Sequence, residues 1–567
     1  MYIVILWNYE NSKNGGIAMN KRSVYSLMMA SVMTAGLLAG CSGGNNTKDT
    51  AESSNKPAGT AAATNQAEGA YPDYSKGFEK KVSLDIPVYE RAYEGWNVSD
   101  NYYTRWVQAE FGDKYNIEVN YVPITRSKEV TDFEQLLASH KAPDIIFHYD
   151  MPQALTYYGE DVMQPLDYAE IQNYAPTYWK SMGETIEQYG TVDDQKTFFF
   201  AARPEADNFV NIIRKDWVEK VGMKVEDLTS LEKYNEMLAK WKEAGLGVSG
   251  GNLLQNFFNF NYPFRKWPVD AKYRALYSDL SVADLTTEET EAYLRNLNYQ
   301  YNNGLIDKEF YLRNDEPKIK AEFVAGKTGN FGFYLANNTD VFAATLQNNP
   351  DAKFAVVPPL AGVPEGNKPQ GRAYWPFGFI MGINYESTPE ERAAVWMYLE
   401  WLSQPENLFK FQNGIEGENY TLDADGIALK NPDYKGEAVL AQNNNKDYWG
   451  LVTEIAQYPD EAKTRKANLR NWAPAGYEPL ADDLVKYYDE VAEFRTPDAL
   501  FNVVLEKVNE YKADLNTLFQ ELYVKVVLAP EAEFDATYEA AKKTYLEAGY
   551  QEILDEKQAA IDAGKFR

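Results

Sequence analysis

The sequence predicts an α/β fold, on three observations. Strand-like and helix-like segments alternate along the body of the chain. One strand is a short, continuous apolar run, as in a sheet covered on both faces. The helical segments place apolar residues at helical spacing. "VSLDIPVY", Val82 to Tyr89, alternates as a strand, and Asn101 to Phe111 follows as a helix. "NIEVNYVPI" is a second strand, and Phe133 to Ala138 a helix. "PDIIFH", Pro143 to His148, is the apolar strand. Strand, helix, strand, helix, strand in this order implies right-handed crossovers.

Later segments are more helical. Leu231, Tyr234, Leu238 and Trp241 mark one helix, and Glu288 to Gly304 another that stops at a glycine. "KFAVVPPL" and "FGFIMGIN" are strands expected in the same sheet as the first three. Thr388-Pro389-Glu390-Glu391 opens the next helix as a capping box with proline in the first turn. Phe534, Tyr538, Ala541 and Tyr545 form one stripe near the C-terminus.

The amino-terminal region has a different composition. Lys21 and Arg22 precede an apolar run from Val24 to Leu38, closed by Ala39 and Gly40. Positive, apolar, small is the layout of a secretory signal, and the run is short of the ~20 apolar residues of a membrane span. Cys41, the only cysteine of the chain, follows at once. Residues 1–18 do not fit a signal and are read as a mis-assigned extension, with Met19 as the true start. From Ser42 to about Lys76 the chain is small and polar and cannot bury enough to fold, which predicts a flexible tether over 41–76.

Composition bounds the function. Of 567 residues, 45% are apolar and 25% charged, ordinary for a soluble globular protein. A net charge of −28 argues against nucleic acid, because phosphate binding needs a basic surface. Two histidines, His140 and His148, are too few for a multi-histidine metal centre, and one cysteine leaves no disulfide. Neither metal nor cofactor is expected. Gly326-Lys327-Thr328 lacks the glycine a phosphate loop needs at Ala321. Asp423-Ala424-Asp425-Gly426 starts like a calcium loop, but its twelfth position is Tyr434, so a hairpin turn is expected. Tyr 42, Phe 27 and Trp 12 make aromatics 14% of the chain. Aromatic faces bind the C–H faces of sugars, and polar side chains bind the rims.

"ASHKAPDIIFHYDMPQ", "FFFAARPEADNFVNIIRKDWVEKVGM", "NNGLIDKEF", "EFVAGKTGNFGFY" and "GIEGENYTLDADG" resemble family 1 extracellular solute-binding proteins, and their order is similar to that of maltose-binding protein. The resemblance runs from about Val82 to the C-terminus. It implies a two-lobed, type II-like periplasmic-binding-protein fold, with discontinuous lobes, a hinge and a central ligand cleft. Lobe one would be 77–201 plus 354–403, and lobe two 202–353 plus 404–567. Leu38-Ala39-Gly40-Cys41 resembles a lipobox, which implies a signal peptide over 19–40 and a diacylglycerol on Cys41. The implied protein is no enzyme. It is a monomer on the extracellular face of the membrane that captures an oligosaccharide for the permease of an ABC importer. The stretch after Leu238, "AKWKEAGLGVSGGN", has one carboxylate, Glu243, and so departs from the acidic calcium loop of the alginate-binding members.

Ligands of open α/β sheets sit beyond the carboxyl ends of strands. That rule and the resemblance together nominate Tyr89, Glu90, Trp96, His148, Tyr149, Asp150, Arg203, Glu205, Tyr334, Trp375 and Trp472. Arg203 and Arg372 leave an acidic sugar such as a uronate open. A lipid-anchored glycoside hydrolase and a binding protein for a peptide are the alternative readings.

Overall fold

A computed structural model describes residues 71–90, 95–203, 209–249, 261–312, 316–334, 339–431, 433–455, 457–458, 460–472 and 477–567. Asp73–Arg567 forms one unit and residues 3–72 another, of which only Tyr71 and Pro72 are described. Cys41, the signal segment and the tether up to residue 70 therefore lie outside the described residues. The end of the tether, read from sequence as about Lys76, needs correction: Tyr74 stacks on Phe78 and on Tyr174, so the packed body begins before Gly77.

The strands in chain order are β1 (Val82–Glu90), β2 (Ile117–Thr125), β3 (Ile145–His148), β4 (Thr191–Val192), β5 (Gln195–Lys196), β6 (Phe199–Ala202) and β7 (Phe209–Arg214). They continue with β8 (Asn330–Tyr334), β9 (Phe354–Val356), β10 (Gly371–Ala373), β11 (Phe377–Ile383), β12 (Tyr420–Leu422), β13 (Ala428–Lys430) and β14 (Arg495–Pro497). β1 and β2 pair in parallel, from Val82 opposite Ile117 to Glu90 opposite Thr125. The helical segment between them is the crossover that parallel pairing requires. β3 lies beside β1, where the Asp144 amide donates to the Asp85 carbonyl and the Asp85 amide to the Asp144 carboxylate.

β3, β11 and β6 form a three-stranded sheet with β11 central and antiparallel to both neighbours. All seven residues of β11 are buried, and so are all four of β3. Strands covered on both faces read as continuous apolar runs whichever way they point, so the apolar run of "PDIIFH" does not by itself reveal strand direction.

The second sheet is β8-β7-β9, with β7 antiparallel to both. Ile212 and Ile213 are neighbours on β7 and point to opposite faces, as the two-residue period demands. Ile212 packs with Phe323, Phe331, Phe342 and Val356, and Ile213 with Trp217, Leu238 and Trp241. Here the sequence reading needs correction. β9, the "KFAVV" strand, pairs with β7 and belongs to this sheet, and only "FGFIMGIN" joins the first. Both are short apolar strands, and nothing local in either records which sheet it enters.

The first core runs through β1, β2, β3, β6 and β11 and takes in Leu408, Phe411, Ala438, Tyr448 and Leu451. The segment after Ser403, assigned from sequence to lobe two, thus packs its apolar side chains with lobe one as far as Val452. The C-terminal helices Glu506–Leu528, Phe534–Tyr545 and Gln551–Asp562 make a separate core with helix Glu288–Asn302. The stripe Phe534, Tyr538, Ala541 and Tyr545 is buried there.

Other local readings match the structure. Thr388 caps helix Pro389–Leu402, with Glu391 reaching back in a capping box. Asp423 to Gly426 turns the β12–β13 hairpin, where the Asp423 carboxylate accepts from the Asp425 and Ile427 amides. Gly326 ends helix Glu316–Val324 at a φ of 69°, a conformation suited to glycine.

Candidate ligand-binding cleft

Three stretches of chain meet beyond the carboxyl end of β6. Ala202 exchanges backbone bonds with Val452 and Glu454, and the Arg203 amide donates to the Pro376 carbonyl. The Arg203 guanidinium closes this junction on Glu454, Nε to Oε2 at 2.7 Å and Nη2 to Oε1 at 3.2 Å. Burial pushes the Glu454 carboxyl up, but Lys446, Arg203 and the Tyr149 hydroxyl outweigh it and hold it below its ordinary range. Gly378 makes room for this carboxylate, since a Cβ there would stand 1.9 Å from Glu454 Oε1.

Around the junction the strand ends present a run of tyrosines and arginines. Tyr149, just after β3, stacks on Phe379 of β11 with ring centroids 4.2 Å apart. The Arg126 guanidinium, just after β2, lies 4.6 Å from the Tyr89 ring and 5.4 Å from that of Tyr149. Arg203 lies 5.9 Å from the Tyr149 ring on its own side. Tyr374, between β10 and β11, receives Arg203 at 5.3 Å and Arg372 at 4.4 Å. Guanidinium planes over aromatic faces are mutually stabilising and hold both groups in place.

Each arginine has its own carboxylate. Arg126 donates to Glu129 at 2.7 Å. Arg372 Nε lies 2.9 and 2.7 Å from the two oxygens of Asp498, and its Nη2 2.6 Å from Oδ2. Burial raises the Asp498 carboxyl, and Arg372 opposes that shift. Burial also lifts the Tyr149 hydroxyl well above its ordinary value, so it stays a neutral phenol.

The residues nominated from sequence separate into groups. Tyr149, Asp150 and Arg203 come together at this junction, with Asp150 half-buried and felt by both Asp498 and Lys512. Tyr89 is buried beneath Arg126, and Glu90 is exposed at the end of β1. His148 is buried and accepts the Asp150 amide on Nδ1 at 2.9 Å, so it orients the loop from below. Trp96 packs edge-on to Tyr448, and Trp375 edge-on to Tyr189. Trp375 Nε1 is buried without a hydrogen-bond partner among the described residues. Tyr334 ends β8 and Trp472 ends helix Glu461–Trp472, while Glu205 lies outside the described residues.

Arg126, Tyr374, Phe379, Glu454 and Asp498 were missed. Arg126 stands directly after a strand and satisfied the rule that found Tyr149. Asp498 likewise follows β14 directly, whereas Glu454 sits in irregular chain far from the first strands, with no local signal. Among the described residues no cluster of His, Cys, Asp and Glu side chains is arranged to hold a metal ion. Among them, too, no helix is long and apolar enough to cross a membrane.

The comparisons agree with this architecture. The family of bacterial extracellular solute-binding proteins matches residues 106–415, more than half of the chain. The chain belongs to that family, which is one of binding proteins and not of enzymes. It is similar to the solved alginate-binding protein AlgQ2 in its calcium-free form, at 17% identity and TM-score 0.57 over 86% of this chain and 100% of that one. It is similar also to an "HMO binding" ABC-transporter-associated solute-binding protein of Bifidobacterium longum infantis, at 13% identity and TM-score 0.60 over 86% and 99%. FusA of S. pneumoniae, solved with kestose, matches at 17% identity and TM-score 0.55 over 85% and 99%. Identities this low establish the fold, which is the two-lobed periplasmic-binding-protein fold. A search of curated proteins finds no match.

Proposed function

We propose that this protein captures an oligosaccharide in the cleft described above and delivers it to the membrane subunits of an ABC importer. The observation that carries the reading is Tyr149 stacked on Phe379, amid further tyrosines and hydrogen-bonding guanidinium groups at the strand ends. A pyranose offers apolar C–H faces to such rings and hydroxyls to such donors. Structural relatives named as alginate-binding, or solved with kestose, support the ligand class. Burial of a sugar face contributes ~25 cal/mol per Å² of apolar area, and each hydrogen bond to a charged group ~1.5–3 kcal/mol. A few such contacts, less the cost of association, reach about micromolar affinity.

The lipobox-like Leu38–Cys41 supports a lipid anchor on the outer face of the membrane, with the small, polar chain from 41 to about 70 as its tether. One lipid chain gives only marginal binding, and two give a stable anchor. The lobes close on ligand about the junction of Ala202–Arg203, Pro376 and Thr453–Glu454. A ligand touching both lobes favours the closed state by its differential affinity.

Calorimetric titration with a panel of oligosaccharides and peptides tests the ligand class. At least one oligosaccharide is expected to bind at micromolar concentration. Saturable binding of a peptide with silence across the glycans would overturn the assignment. For the anchor, metabolic labelling with a fatty acid is expected to mark the wild-type chain and not Cys41→Ala; equal labelling of both rejects it.

A further inference from the structure

We propose that the cleft selects an uncharged ligand, because each of its three guanidinium groups is already neutralised by a carboxylate of the chain itself. This rests on the reading of the cleft as a sugar site and adds the charge class of the sugar.

Arg203 engages Glu454 through two nitrogens, and Arg372 engages Asp498 through two. Arg126 engages Glu129. The three carboxylates are buried, with side chains 8%, 3% and 3% exposed respectively. Gly378 leaves the Glu454 carboxylate no vacant space on its β11 side. Other charges near the cleft are of both signs: Asp150 acts on Lys512, whose ammonium donates to Gln153, while Lys446 acts on Glu454 and Asp447 on Tyr149.

A uronate or other anion could reach a guanidinium in only two ways. It could displace the resident carboxylate, which would leave a buried anion unpaired, an outcome costlier than the new bond repays. Otherwise it would sit beside that carboxylate and suffer like-charge repulsion. A hydroxyl or ring oxygen meets neither obstacle. Among the described residues Nη1 of Arg203 and of Arg372 makes no hydrogen bond, and these donors suit neutral acceptors. The arginines thus serve as fixed donors and aromatic cover, and their charge is cancelled in place.

The test titrates the full chain with neutral gluco-, manno-, galacto- and xylo-oligosaccharides and with oligogalacturonate and its methyl ester, at low and high salt. The expected result is binding of a neutral member, little changed by salt, with uronic oligomers at least about tenfold weaker. A uronic oligomer binding as tightly, with affinity that falls as salt rises, overturns this inference and leaves the sugar reading standing. Silence across both classes overturns the sugar reading and this inference with it. Glu454→Gln and Asp498→Asn each release a guanidinium, and each is expected to strengthen oligogalacturonate binding about tenfold or more. If both variants fold, by circular dichroism, and neither gains affinity for the uronate, the proposal fails. Asp498→Asn alone decides should Glu454→Gln not fold.

Discussion

Arg203 and Glu454, 251 residues apart in sequence, are joined by a two-bond ion pair that ties the end of β6 to a much later segment of the chain. The Arg203 amide bonds to Pro376 in a third segment, so one residue touches all three stretches that meet there. Under the proposed closure of the lobes, this pair is the expected pivot.

Removing one partner of this pair is expected to cost stability. Glu454→Ala would leave a guanidinium without its counter-ion in a largely buried place, a loss of about 3–5 kcal/mol. Gly378→Ala should disturb the same pair from the other side, at about 1–3 kcal/mol for overpacking. Denaturant midpoints measure both, and an unchanged midpoint for Gly378→Ala would mean that Glu454 moves aside freely.

Asp144 gives stability a pH dependence of known sign. Burial raises its carboxyl from 3.8 to about 6, against the opposing bonds from Ser387 and the Asp85 amide. Between those values the folded chain holds a proton that the unfolded chain has released. This contribution therefore favours folding at low pH and is lost as pH rises toward 6, a change of about 3 kcal/mol. Asn can accept from the Asp85 amide and donate to Ser387 Oγ. Asp144→Asn is thus expected to gain stability relative to wild type as pH rises from 4 to 7. Parallel stability–pH curves for the two chains would refute the assignment.

Tyr149→Ala removes the ring that stacks on Phe379 and lies beside two guanidinium groups. Together with Asp150→Ala it is expected to weaken ligand binding about tenfold or more in each case. Tryptophan fluorescence titration reports the change, and unaltered affinity in both would remove this corner from the site.

Thr388→Ala removes the hydroxyl that accepts the Glu391 amide and breaks the capping box of helix Pro389–Leu402. The expected loss is about 1 kcal/mol. Thermal unfolding checks it, with Thr388→Ser as the control that keeps the cap.

Lys557 and Asp279 form an ion pair at 2.8 Å inside the C-terminal helical core, with side chains 1% and 5% exposed. Lys557→Ala is expected to destabilise by about 3–5 kcal/mol because Asp279 would stay buried and unpaired. Recovery in Lys557→Met with Asp279→Asn would show that the charge, and not the volume, was responsible.

By itself the sequence determined what depends on neighbours along the chain. The cap at Thr388, the glycine stop at Gly326, the hairpin at Asp423–Gly426 and the buried stripe from Phe534 to Tyr545 are set within a turn or two of backbone. Tyr149 and Asp150 were nominated because position after a strand is a local property, and Arg203 because its segment resembles the family's crossing segment; the structure brings the three to one junction. The tertiary structure alone decided pairings across long separations: that β9 joins β7, that β11 runs antiparallel between β3 and β6, and that the chain beyond Ser403 returns to the first core. It alone matched Arg203 with Glu454 and Arg372 with Asp498. A short apolar strand fits any sheet that buries both its faces, and a carboxylate carries no local mark of its arginine. Both choices are made by packing between distant segments, where burial and charge pairing act on residues that the chain order keeps apart.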